Sequence, residues 1–192
     1  MEMNSDFKDI KSILLGLRSD YISGVQLDTL NEKAPITERD IVAEIYCKLK
    51  AFCTNRDLSV HSEIKPASSE NAEIGELRRL LKIDVGILSR ISGQSWVDSA
   101  IDIQNNYRKG SIEARFSSIP LRFFHTAIEV KIQSQFADSK KDVDTLKRIH
   151  DSNSLCNCFF VLLNARGKRS DHDKIKAYAD QRGICIIEYT CR

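Results

Sequence analysis

Three side chains stand out for the chemistry they could do together. Asp84 lies in Lys82-Ile83-Asp84-Val85-Gly86-Ile87, and Glu129 and Lys131 lie in Ala127-Ile128-Glu129-Val130-Lys131-Ile132. Both segments alternate polar and apolar residues with the period of two of a half-buried strand. Ile83, Val85 and Ile87 fall on one face of the first, with Asp84 on the other. Ile128, Val130 and Ile132 fall on one face of the second, with Glu129, Lys131 and Gln133 opposite. If the strands are neighbours, two carboxylates and an ammonium converge on one patch. That patch suits magnesium, a hard cation that takes one or two carboxylates plus waters and substrate phosphate oxygens. A lysine beside it could orient or deprotonate a water and stabilise charge on a phosphate.

Other elements must position these residues. Phe7, Ile10, Ile13, Leu14 and Leu17 predict a first helix over residues 6–18. Thr37 followed by Glu38 and Asp40 reads as a helix start, and Ile41, Val42, Ile45, Leu49 and Phe52 carry that helix to about Phe52. On a helical wheel Glu38 projects to the side of Ile41, Ile45 and Leu49, and Glu44 lies away from that stripe. Strands are expected over 58–64, 82–88, 123–132, 159–163 and 184–189, the first two as an antiparallel pair, and helices over 142–150 and 174–181, the latter stopped by Gly183. Strand, helix and strand at the end of the chain make a natural right-handed crossover. The order α-β-β-β-α-β-α-β points to an α/β domain with a mixed central sheet flanked by helices.

The 192 residues suit a single domain, with 1–36 as an N-terminal helical extension and 89–121 as an insertion in which 99–108 has helical character. With 29 basic and 27 acidic residues, the net charge of +2 is too balanced to argue for nucleic-acid binding by itself. No apolar run is long enough for a membrane span, and the N-terminus lacks a secretory signal, so a cytoplasmic protein is expected. The six cysteines have no zinc-ribbon spacing and read as reduced, mostly buried thiols.

Asp84 followed by Glu129-Val130-Lys131 resembles the D…ExK core of the PD-(D/E)xK nuclease superfamily, which includes restriction endonucleases and Holliday-junction resolvases. Glu38-Arg39-Asp40-Ile41-Val42 resembles the helix of archaeal junction resolvases, in which a glutamate at the place of Glu38 completes the metal site. The resemblance spans residues 37–189. It implies a restriction endonuclease-like core and Mg²⁺-dependent hydrolysis of phosphodiester bonds, with Mn²⁺ able to substitute. Asp84, Glu129, the carbonyl of Val130 and Glu38 would bind the ion, and Lys131 would assist the attacking water. The expected substrate is nucleic acid, DNA before RNA, and cutting both strands with one centre per chain would need a homodimer. Two features depart from the pattern. Ile83 stands where the superfamily has its proline, and Asp84 and Glu129 are 129 − 84 = 45 positions apart, longer than in compact members. The alternative is a catalytically silent binding domain of the same fold.

Weaker candidates are weighed against bland readings. His61 and Glu63 could face the site, Glu63 as an extra ligand, or form an exposed edge pair. Lys140, Lys141, Lys147, Arg148 and His150 could contact phosphates, or form a solvated helix face balanced by Asp142 and Asp144. Arg166, Lys168 and Arg169 make a basic loop at a strand end that could contact a nucleic-acid backbone. Trp96, Tyr107 and Arg108 could read or wedge substrate, against an aromatic anchor for the insertion, and Gln133 could touch the substrate backbone, against plain polar surface.

Overall fold

The computed structural model describes residues 5–17, 37–66, 82–89, 118–119, 121–132, 135–164 and 169–190. In chain order these form α1 (Ser5–Leu15), α2 (Glu38–Cys53), β1 (Leu58–Pro66), β2 (Ile83–Ser89), β3 (Ser118–Ile119), a 3-10 turn (Leu121–Phe123), β4 (Phe124–Ile132), α3 (Phe136–Ser152), β5 (Asn157–Asn164), α4 (Arg169–Asp180) and β6 (Cys185–Thr190). The strands make one mixed sheet in the order β3-β1-β2-β4-β5-β6. β1 and β2 are antiparallel, as are β2 and β4, whereas β4, β5 and β6 run parallel. The parallel half follows from the chain: α3 and α4 each carry it back to the start of the next strand.

The pleat sorts the core into two layers. Val85, Ile87, Ile128, Val130, Phe159, Val161 and Ile187 pack with Ile10, Leu14, Ile41, Ile45 and Leu49 of α1 and α2. Ala127, Phe124, Phe160 and Leu162 pack with Val143, Leu146 and Ile149 of α3 and Ile175 and Ala179 of α4. β5 is buried on both faces, which is why its sequence is a continuous apolar run.

Caps set the ends of two helices. Thr37 donates from both its backbone N–H and its hydroxyl to the Asp40 carboxylate, at 2.7 and 2.8 Å, half of the reciprocal capping-box pattern. α4 ends with Gly183 at φ +70°, the Ile184 N–H bonded to the Ala179 carbonyl and the Gly183 N–H to the Asp180 carbonyl. This left-handed cap favours glycine.

The structure corrects several expectations. α3 begins at Phe136, six residues before the expected start, and α4 at Arg169, five before. The two-residue β3, within the segment read as an insertion, adds an edge strand parallel to β1. Ile83 does not share a core with Val85 and Ile87. It packs in the α3/α4 layer with its partner Ile64. β1 breaks its alternation at the same level: Glu63 has φ +52°, and Ile64 lies on the side opposite Val60. The expected 99–108 helix, the loop after Pro66, Trp96, Tyr107, Arg108, Gln133, Arg166, Lys168 and Cys191 lie outside the described residues.

Gly86 shows how tightly β1 and β2 meet. A Cβ there would come within 2.6 Å of Ile64 Cδ1 and 3.4 Å of Phe124 Cε1. Ile64's terminal methyl could yield to an alanine, but the two methyls of valine would also press on Phe124. Gly86→Val is expected to cost about 1–3 kcal/mol, read as a lower urea midpoint at unchanged m-value; an unchanged midpoint would show the core to be looser than this geometry. Among the described residues no helix is long and apolar enough to cross a membrane. Cys53, Cys156 and Cys158 are buried and free, as expected, while the free Cys47 is exposed.

Candidate active site

Glu129 and Lys131 leave β4 on the α3/α4 side, because their neighbours Ile128 and Val130 belong to the other core. The parallel pairing seats Glu129 beside Phe160 and Lys131 beside Leu162 at the carboxyl end of the strands. β2 approaches from the other side. Its pairing with β4 runs through Val85↔Ile128, which sets Asp84 next to Glu129. At this point the Asp84 side chain takes the place of a ladder partner: the Val130 N–H donates to Asp84 Oδ2 at 2.8 Å. The neighbouring strand positions therefore do bring Asp84, Glu129 and Lys131 together.

Glu129 is only 2% exposed, and its Oε1 has no hydrogen-bond partner. Burial pushes its carboxyl well above the usual range, and the charges of Asp84 and then Asp142 push further, against the pull of Lys131. A buried, partly unsatisfied carboxyl beside a second carboxylate is costly in isolation, and it is the arrangement a divalent cation would relieve.

The lysine is held from both layers. Lys131 Nζ lies 3.2 Å from Glu38 Oε1, which comes from the first turn of α2, and 3.3 Å from Asp142 Oδ2, which comes from α3. Burial alone would lower the lysine's pKa. The carboxylates of Asp142, Glu38 and Asp84 outweigh it, and the group is raised above its ordinary value. Glu38 thus stands on the sheet-facing side that the wheel indicates, with the lysine as its partner. Glu44 pairs with Lys48 at 3.8 Å and is largely covered, its neighbour Lys48 also donating to the Gly16 carbonyl after α1.

Asp142 is the residue that sequence reasoning missed. It reads there as a helix-start acid balancing lysines, because the helix is expected to begin at residue 142. With α3 starting at Phe136, Ser139, Asp142, Val143, Leu146 and Ile149 form one buried stripe, and Asp142 is 8% exposed. An aspartate on an apolar stripe is the signal that could have found it. Burial raises its carboxyl against the pull of Lys131. Two strands along the same edge, Glu188 stands in register with Leu162 and lies 3.4 Å from Nδ1 of the buried His172 on α4.

The weaker candidates fall elsewhere. Glu63 is exposed and pairs with Lys82 at 2.8 Å, which lowers its pKa. Lys140 pairs with Asp144 at 2.8 Å, Lys147 with Asp151, and His150 hydrogen-bonds the Cys156 carbonyl, so much of the expected phosphate-facing cluster is engaged within the chain. His61 is half-buried on β1, 3.0 Å from Ser59 Oγ, and burial lowers its pKa below the ordinary 6.5. The unfolded chain then takes up the proton first as pH falls. The stability His61 contributes is complete above about pH 6.5 and is lost as pH drops towards its folded value. Urea unfolding at pH 7.5 and 5.5 checks this: His61→Gln should shrink the difference, and an equal difference would rule His61 out.

Among the described residues no three His, Cys, Asp or Glu side chains close on one point as a metal cage. No protein-family model matches the sequence, and no curated protein matches it. Several solved structures are similar, and two of them are NucC proteins. One is NucC of P. aeruginosa ATCC27853 in its cAAA-bound form, at 9% identity, covering 98% of this chain and 77% of that one with a TM-score of 0.46. The other is NucC of E. coli MS115-1 in its cAAA-bound form, at 7% identity, covering 99% of this chain and 77% of that one with a TM-score of 0.47.

Proposed function

We propose that this chain is a magnesium-dependent nuclease of the PD-(D/E)xK type that hydrolyses phosphodiester bonds in DNA. The observation that carries the reading is the meeting of Asp84 and Glu129 across β2 and β4, with Glu129 Oε1 buried and unpartnered and Lys131 beside them. The donors fit magnesium: all are hard oxygens, and two carboxylates with water and phosphate oxygens suffice where a full protein cage is absent. Asp84 and Glu129 would hold the ion, with the carbonyl of Val130, the residue after Glu129, and with Glu38 completing the set. A bound ion there supplies charge stabilisation to the phosphate oxygens.

The chain's own residues do the rest. Lys131, clamped by two carboxylates, serves as a positive charge and hydrogen-bond donor. It orients the attacking water and stabilises charge on the phosphate, in preference to removing a proton. The water oxygen bonds phosphorus and gives up a proton to bulk water, the phosphorus–oxygen bond to the leaving strand breaks, and the leaving oxygen takes up a proton from bulk water. Cutting both strands with one such centre per chain calls for two copies.

The test is incubation with plasmid, single-stranded DNA, branched DNA and RNA in Mg²⁺ or Mn²⁺, beside Asp84→Ala. Metal-dependent DNA cutting lost in the variant is the expected result. Cutting of RNA alone would move the substrate to RNA. No cutting together with no metal-linked rise in Tm would leave a silent binding domain of the same fold.

A further inference from the structure

The buried charge of Asp142 calls for a reason. Its neighbours on the α3 stripe, Ser139, Val143, Leu146 and Ile149, are all buried, and the last three are apolar core residues. An apolar side chain at the same place would pack with them. Buried ion pairs are poor stabilisers, since desolvating both charges offsets their attraction. Lys131 also has a second carboxylate, Glu38, at 3.2 Å, so Asp142 is not needed to keep the ammonium paired. What Asp142 adds is direction. Glu38 reaches the ammonium from the α1/α2 layer and Asp142 from the α3/α4 layer at 3.3 Å. One contact leaves a long, flexible side chain free to swing, whereas contacts from opposite layers fix where its end lies.

We propose that Asp142 is a positioning residue that holds the Lys131 ammonium in place for phosphodiester cleavage, without itself binding the metal. This inference rests on the nuclease reading above. A carboxylate kept for stability would be missed by the fold when removed. One kept to aim Lys131 would be missed by the reaction.

The test compares wild type, Asp142→Asn, Asp142→Leu, Lys131→Met and the double variant Asp142→Asn/Lys131→Met in the full chain, with DNA and Mn²⁺. Asp142→Asn is expected to lower kcat about 10–100-fold, the scale of a small misplacement in an active site, with KM within about twofold. Its Mn²⁺ dissociation constant, read by electron paramagnetic resonance without substrate, stays within about threefold of wild type. Asp142→Leu keeps the wild-type Tm or raises it. In single-turnover cleavage, Asp142→Asn adds less than about twofold to the loss already caused by Lys131→Met.

A large loss of Mn²⁺ affinity would make Asp142 a metal ligand and overturn the proposal. So would a drop in Tm in both Asp142 variants, an unchanged kcat, or full additivity with Lys131→Met. If Lys131→Met leaves no measurable rate, the kcat–KM split and the Mn²⁺ affinity decide. A wild type that cuts nothing removes the nuclease reading and this inference together, whereas a wild type that cuts with an indifferent Asp142→Asn removes this inference alone.

Discussion

Lys131→Met is expected to lower the rate of DNA cleavage by about 10²–10³-fold, the loss seen when a single charge-stabilising donor is removed from a transition state, while Mn²⁺ binding survives. The side chain sits 3.2 Å from Glu38 and 3.3 Å from Asp142, so its charge is held close to the carboxylates proposed to bind the metal. Methionine keeps much of its length and packing but not the charge. Because the ammonium acts chiefly in the transition state, kcat falls and KM changes little. Lys131→Arg tests the same point from the other side. A guanidinium keeps the charge but spreads it over a planar fork, so it restores only part of the rate. Cleavage unchanged in Lys131→Met would remove the lysine from the reaction. Loss of Mn²⁺ binding along with activity would show that the substitution had disturbed the carboxylates.

Glu129→Gln is expected to give the opposite signs in stability and function. Glu129 is 2% exposed, has an unpartnered Oε1, and stands beside Asp84 with Asp142 close enough to repel it. Glutamine has nearly the same shape, cannot take on the charge that burial and Asp84 disfavour, and brings an amide that can donate to Asp84. The metal-free protein should therefore gain about 1–2 kcal/mol, a rise in Tm of about 2–4 °C for each kcal/mol at this chain length. The variant should also lose cleavage and the metal-linked rise in Tm. A site ion present at a hundred times its dissociation constant adds about 2.7 kcal/mol to the wild type, and that increment should vanish. Differential scanning fluorimetry with and without Mn²⁺ reads both effects. A lower metal-free Tm in Glu129→Gln would mean that the carboxylate has a protein partner. Equal Mn²⁺ shifts in variant and wild type would place the ion elsewhere.

These two predictions express one trade-off. The patch keeps carboxylates close together where apolar or neutral residues would be more stable, a common cost of an active site. Gly86 shows a related constraint. Two residues along β2 from Asp84, it lets Ile64 of β1 approach closely, and that approach helps hold the strand carrying Asp84 in place.

Much of this was legible in the sequence because the signals are local. A period of two places Glu129 and Lys131 on one face whatever the sheet does. A period near 3.6 marks α1 and α2, and the Thr37–Asp40 pattern marks where α2 starts. The parallel crossover from β5 through α4 to β6 also follows from local pattern and handedness. Other features depend on contacts between distant residues, to which local periods are blind. Glu63 breaks the alternation of β1, and Ile83, paired with Ile64, lies with it in the other core. α3 begins six residues early, because the polar turn Phe136–Lys141 is stabilised by packing on the sheet and on α4, with Phe136 edge-on to Tyr178. That shift turns Asp142 from a surface acid into a buried partner of Lys131. The sequence by itself determined which residues could share a face. Only the tertiary structure decided that β2 lies beside β4, that Glu38 meets the lysine, and that a third carboxylate joins it, because those contacts span from 11 to 93 positions of chain and form only when the two layers close on the sheet.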